Sequence, residues 1–131
     1  MLKTKKKATI RYECEYAIVF CTKYRKEILK DDVKVVLEDQ IQQFFKQPGL
    51  ALNTLQVGLN YVYLIVEIDP QLSVSQVVRR LKIDTSAELR QRFKKLTQIL
   101  PSIWTFNYWC TTKGPLTEDA ILAYVETQSK R

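Results

Sequence analysis

At 131 residues, 46% of them hydrophobic and with only three glycines and four prolines, the chain has the makings of one globular domain and excludes low-complexity or collagen-like architectures. A net charge of +7 and a pI of about 9.4 point to an anionic partner. No window approaches the roughly 18 uncharged apolar residues of a membrane span, and the N-terminal lysines lead into Arg11-Tyr12-Glu13 rather than the apolar run of a secretory signal.

These features predict one domain over residues 1–131, a basic and flexible tail over 1–8, no membrane association and a cytoplasmic location. Cys14, Cys21 and Cys110 are an odd number without CxxC spacing and have no histidine to join them, so they read as small buried thiols rather than a zinc site.

Residues 9–21 alternate as a strand, with Tyr12, Cys14, Tyr16, Ile18 and Phe20 on one face. Lys23-Tyr24-Arg25-Lys26 is a basic loop after it. Asp31-Asp32 places carboxylates at the positive end of a helix, along which Val33, Val36, Leu37, Ile41 and Phe44 make an apolar stripe before Pro48-Gly49 ends it. Residues 50–57 form a second strand, Gly58-Leu59-Asn60 a turn, and 61–69 a third strand. There Val62, Leu64, Val66 and Ile68 face the core, and Tyr61, Tyr63, Ile65, Glu67 and Asp69 line the other side.

Ser73 or Ser75 caps the next helix, with Val77, Val78 and Leu81 inward. Thr85-Ser86 is expected to cap a separate helix carrying Leu89, Phe93 and Leu96. The aromatic stretch 103–112 reads as a strand, and Thr117 caps a last helix with Glu118 and Asp119 in its first turn. The order β-α-β-β-α-(α)-β-α is an α+β, ferredoxin-like (RRM-like) split β-α-β pattern: an antiparallel sheet with helices on one face and an added C-terminal helix. Its second face is expected to stay open for a ligand or partner.

The charge is clustered. Residues 1–30 hold nine Lys or Arg against three Glu, and residues 78–95 hold seven against one Asp and one Glu. Lys23, Arg25 and Lys26 in the first cluster, and Arg79, Arg80, Lys82 and Arg90 in the second, are the candidates for a phosphate backbone. The alternative is a lysine tail and a solvated helix face.

Four blocks, in order along nearly the whole chain, carry a family resemblance. Residues 14–26, ending in Lys23-Tyr24-Arg25, look like a first strand with its "KYR" loop. Asn60 to Pro70 stands where "DHVHLL…P" is found. Leu81-Lys82 through Leu89-Arg90 stands in place of "LKGRSSRxLR". Leu100-Pro101-Ser102-Ile103-Trp104 and Ala123-Tyr124-Val125-Glu126-Thr127-Gln128 look like "LPxLW" and "YIExQ". The chain resembles the single-tyrosine transposases of insertion sequences, the TnpA type of the HUH superfamily, to which REP-associated transposases are related.

The resemblance implies single-stranded or hairpin DNA as partner, a homodimer, and a tyrosine that attacks a phosphodiester to leave a 5′-phosphotyrosine and a free 3′-hydroxyl. It implies Mg²⁺ or Mn²⁺ held by two histidines and a glutamine. By position the nucleophile is Tyr124 and the glutamine Gln128, i and i+4 on one helix. The same stripe, with Ala120, Ile121 and Val125, is also what a packed amphipathic helix looks like.

The two histidine positions are Tyr61 and Tyr63, and the chain contains no histidine. A neutral phenol is a poor ligand for Mg²⁺ or Mn²⁺, which leaves Gln128 with Glu67 or Asp69. Ile83-Asp84-Thr85-Ser86 also departs from the family's Gly-Arg-Ser-Ser, and Ala17 stands where many relatives carry histidine. Three readings are open: a DNA-binding protein with little or no nicking activity, an active transposase with an atypical cation site, and a regulatory or structural dimer.

Overall fold

The computed structural model describes residues 5–6, 11–12 and 14–128. Strands β1 (Lys5–Lys6) and β2 (Arg11–Tyr12) pair as a small antiparallel ribbon. The basic tail expected over 1–8 otherwise lies outside the described residues, as do residues 9, 10 and 13 of the first predicted strand.

The main sheet is built from β3 (Glu15–Cys21), β4 (Leu50–Val57), β5 (Tyr61–Ile68) and β6 (Trp109–Thr111), in the order β4-β5-β3-β6 and antiparallel throughout. The helices are α1 (Asp31–Phe44), α2 (Val74–Arg92), α3 (Lys94–Ile99) and α4 (Glu118–Glu126). The first and third strands of the β3-α1-β4-β5-α2-α3-β6 series lie side by side at the centre, which is the split β-α-β arrangement expected from the element order.

β5 is built almost wholly of β-branched, aliphatic and aromatic residues, and every one of its eight positions is buried. The even positions, with Ile18 and Phe20 of β3, join Leu37 and Ile41 of α1 and Val78, Leu81 and Leu89 of α2 in the larger core. Each such aliphatic side chain taken fully out of water contributes about 1.5–3 kcal/mol. The odd positions do not face solvent. Tyr61, Tyr63 and Ile65 join Ala17, Val19 and Cys21 in a second apolar cluster, which α4 covers with Ile121 and Val125. The face expected to stay open is therefore occupied by the chain's own last helix.

Three further expectations change. Residues 83–86 do not divide two helices, because α2 runs unbroken through them and ends only at Phe93. Thr85 is not a cap but a buried mid-helix residue. Its hydroxyl donates to the Leu81 carbonyl (2.8 Å) and accepts the indole N–H of Trp104 (3.0 Å).

The aromatic stretch 103–112 is a strand only over Trp109–Thr111. Its first part makes a single bridge, Thr22 to Trp104, and then leaves the sheet because Ile103 and Trp104 turn into the larger core. Of the cysteines only Cys21 is fully buried. Cys14 and Cys110 are half-buried, and all three are free.

The short helix caps follow the sequence. Ser73 Oγ accepts the Gln76 amide N–H, and Thr117 Oγ1 accepts that of Ala120. In β4 a bulge between Leu52 and Thr54 sets the Asn53 amide between two carboxylates that face each other across β3 and β5, so that it donates to Glu15 (2.9 Å) and Glu67 (3.0 Å).

Thr85→Val keeps the volume of residue 85 but leaves the Trp104 N–H without an acceptor. Urea unfolding of this variant is expected to show a loss of about 1–3 kcal/mol with an unchanged m-value.

Candidate functional site

The tyrosine cluster is assembled by strand register. Antiparallel pairing sets Cys21 opposite Tyr61, Val19 opposite both Tyr63 and Trp109, and Ala17 opposite Ile65, all on one face. α4 lies across it. Ile121 and Val125, one turn apart, point into the sheet, and Tyr124 packs at the margin against Trp109, with ring centroids 5.7 Å apart. The structure thus brings Tyr61, Tyr63 and Tyr124 together.

The three phenols differ in their partners. Tyr61 Oη accepts a hydrogen bond from Gln56 Nε2 (2.9 Å), and its ring lies so close over Gly58 that a Cβ there would sit 2.1 Å from Cε2. Tyr63 Oη accepts the backbone N–H of Leu116 (3.0 Å), which ties the segment leading into α4 to the sheet. The Tyr124 hydroxyl is buried and has no hydrogen-bond partner among the described residues. Burial, with the Cys21 thiol close by, pushes its ionisation up to about 12, and burial likewise pushes the Cys21 thiol up to about 11.

Gln128 lies two residues beyond the end of the helix that carries Tyr124. α4 ends at Glu126, and the Gln128 amide donates to Thr127 Oγ1 (3.0 Å) within the terminal turn. The carboxylates next along the strand are also engaged: Glu67 accepts from Asn53, and Asp69 accepts the Gln71 N–H at 2.9 Å.

The predicted basic residues fall in three places. Lys23, Arg25 and Lys26 occupy the turn after β3, where Tyr24 and Arg25 both adopt left-handed backbone conformations (φ 59° and 55°), a strained geometry for residues with side chains. Arg79, Lys82 and Arg90 line a groove of about 840 Å³ between α2 and the 102–108 loop. Arg80 is outside this lining and pairs with Asp84 one turn away (3.3 Å).

Lys82 is committed to structure. Its ammonium donates to the carbonyls of Thr105 (3.0 Å), Phe106 (3.3 Å) and Asn107 (2.8 Å) and lies over the rings of Phe20 and Tyr108. Burial lowers its ionisation to about 8, with a smaller opposing contribution from Cys21. Arg90 donates to the Pro101 carbonyl (3.0 Å).

Residues 10–128 match the family model described as "Transposase IS200 like". The chain belongs to the IS200-like transposase family. It is 30% identical to the ISDra2 transposase TnpA of Deinococcus radiodurans, over 97% of this chain and 92% of that protein. It is 24% identical to the transposase of insertion sequence IS200 from Salmonella typhimurium, over 82% and 72%. A crystal structure of a transposase-like protein from Deinococcus radiodurans superposes with a TM-score of 0.87 at 29% identity, covering 97% of this chain and 99% of that one. The fold also matches a REP-associated tyrosine transposase solved with a REP hairpin, at a TM-score of 0.55 and 15% identity, covering 92% and 69%.

The residues of this family member do not fit the divalent ion that the HUH resemblance implies. The chain has no histidine, and no three of its Cys, Asp or Glu converge among the described residues. The phenols of Tyr61 and Tyr63, which the resemblance sets at its histidine positions, are hydrogen-bonded to Gln56 and to the Leu116 backbone. A hard cation of the Mg²⁺ or Mn²⁺ kind requires several convergent anionic or carbonyl oxygens, or imidazole.

Sequence reasoning missed Gln56, Gly58 and Leu116 as the partners of these tyrosines, and Phe106 as an exposed ring. The first three bear no chemical mark, since their role comes from the hairpin and from the approach of the chain to α4. Phe106 was hidden inside an alternation that imitates a strand.

If the Tyr63 hydroxyl is an anchor, Tyr63→Phe strands the Leu116 N–H and is expected to cost about 1–3 kcal/mol in chemical denaturation. For Cys21 the folded thiol ionises later than its ordinary value of 9.0, so its contribution is complete below pH 9 and is lost as pH rises towards about 11. The difference in stability between Cys21→Ala and the parent protein should therefore move in favour of the variant between pH 9 and 11.

Proposed function

We propose that this transposase-family chain binds single-stranded or hairpin DNA in the cytoplasm as a homodimer and has little or no metal-assisted strand-cleaving activity. The observation that carries the reading is the state of the tyrosine cluster. The phenols standing in the histidine positions are hydrogen-bonded into the fold, and the candidate nucleophile Tyr124 sits in an apolar setting with its proton held tightly. With ionisation pushed up to about 12 by burial, the Tyr124 hydroxyl stays neutral at pH 7. A strand transfer through Tyr124 needs that proton removed and the charge on the scissile phosphate neutralised, and the Tyr124 hydroxyl has no hydrogen-bonded base among the described residues.

DNA binding is supported by family membership and by the net charge of +7, with Lys23, Lys26 and Arg79 as cations not tied to a carboxylate by any ion pair among the described residues. One observation favours the second reading, an active transposase with an atypical site: the buried Tyr124 hydroxyl has no partner among the described residues, and a substrate group would supply one.

The two are separated by incubating the protein with a broad set of single-stranded and hairpin oligonucleotides in Mg²⁺ or Mn²⁺ and running denaturing gels. The proposal expects retarded complexes on native gels whose affinity falls steeply with salt, and no covalent adduct above the level of Tyr124→Phe. An adduct that Tyr124→Phe abolishes establishes the second reading, and binding absent at low salt refutes both.

A further inference from the structure

We propose that the groove between α2 and the 102–108 loop is a single-strand DNA site in which an unpaired base stacks on Phe106 while the neighbouring phosphates meet Arg79 and Arg90. This rests on the DNA-binding reading and adds a contact surface whose lining is distinct from the tyrosine cluster. Phe106 is 96% exposed, by far the most exposed of the large apolar residues described. It is nevertheless not a loose loop tip. The Lys82 ammonium grips the carbonyls of Thr105, Phe106 and Asn107, and Trp104, two residues before it, is locked in the core through its bond to Thr85. A ring presented to water on a backbone fixed at both sides is a prepaid stacking platform, because little conformational freedom remains to be lost on binding.

The groove beside the ring has the complementary chemistry. Its sixteen lining residues include Arg79, Lys82 and Arg90 and no carboxylate, with buried Val78 and Ile103 and exposed Ile83 as its aliphatic part. Arg79 is exposed, lines the groove and has no ion pair among the described residues, whereas Arg80, outside the lining, pairs with Asp84. An unpaired strand offers flat apolar base faces and phosphates together, the two chemistries that an exposed aromatic ring and cations of one groove take up. A duplex hides its base faces and leaves Phe106 nothing to stack on.

The groove lies on the helical side of the sheet, since Trp104, Val78 and Leu81 belong to the core there, while Tyr124 belongs to the cluster on the opposite face. A strand held in it is therefore held without burying the tyrosines.

The test compares binding of an oligothymidine of about 15 nucleotides and a blunt duplex of the same length by fluorescence anisotropy. Phe106 is at the surface, so Phe106→Ala should fold as the parent does. It is expected to weaken oligothymidine binding roughly 5- to 150-fold, leave duplex binding unchanged and keep the salt slope. Arg79→Gln should lower that slope by about one unit. Phe106→Trp should retain affinity and show quenched indole fluorescence on binding. Oligothymidine affinity indifferent to Phe106→Ala, or an equal loss for the duplex, overturns the groove assignment while leaving DNA binding standing. A parent protein that binds neither oligonucleotide removes the DNA reading itself. Preference for an acidic peptide over both oligonucleotides replaces the strand with a protein partner and likewise overturns the proposal.

Discussion

The pairing of β5 with β3 is the constraint from which the rest of the molecule follows. β5 is buried along its whole length on both faces, so whatever it carries must be satisfied inside the protein. On one face this is simple, because aliphatic residues meet the helical layer. On the other, two phenolic oxygens enter an apolar cluster and each needs a partner. Tyr61 takes one from the adjacent strand through Gln56. Tyr63 takes one from the backbone ahead of α4. The second bond does more than remove a penalty, since it fixes where the last helix enters and so where Tyr124 lies.

Tyr61 and Tyr63, which the resemblance sets at histidine positions, are two bulky, hydrogen-bonded rings that fill the space beneath α4 and tie its leading segment to the sheet. Gly58 shows how closely the site is fitted around them, because only a residue without Cβ leaves room for the Tyr61 ring. Restoring imidazole at both positions would leave the Leu116 N–H and the Gln56 amide to find other acceptors. The metal-binding geometry would therefore have to be recovered together with the packing, and the two requirements compete at the same atoms.

Much of the fold was legible because its signals are local and periodic. β4 is found at the expected residues, β5 within one of them, and α1 shows its apolar spacing. The misreadings occur where tertiary contacts override a local signal. Thr85-Ser86 has the composition of a helix cap, yet the Trp104 indole gives the Thr85 hydroxyl a buried use inside a continuous helix. The stretch from Ile103 to Tyr108 alternates like a strand, yet its carbonyls are drawn to the Lys82 ammonium and its first aromatic residues to the core. Lys82 illustrates the limit of reading charge from sequence. It belongs to a basic cluster, but its charge is consumed internally, whereas Arg79, three residues away, keeps its own.

The distribution of charge and of tyrosines also separates two tasks that the sequence had run together. The groove that collects cations and exposed aromatic surface faces the helical side, and Tyr61 and Tyr63 are buried under α4 on the other, with Tyr124 of α4 at their margin. Electrostatic attraction to a polyanion acts over roughly 10 Å at ordinary salt and needs no ordered metal, so it survives substitutions in the tyrosine cluster. Bond cleavage depends on a few atoms placed within hydrogen-bonding reach, so it does not. The groove packs on the helical side of the sheet and the tyrosine cluster on the other, and the Thr105 N–H to Cys21 carbonyl bond (3.0 Å) is backbone only, so side-chain substitutions among the tyrosines leave the groove's cations in place.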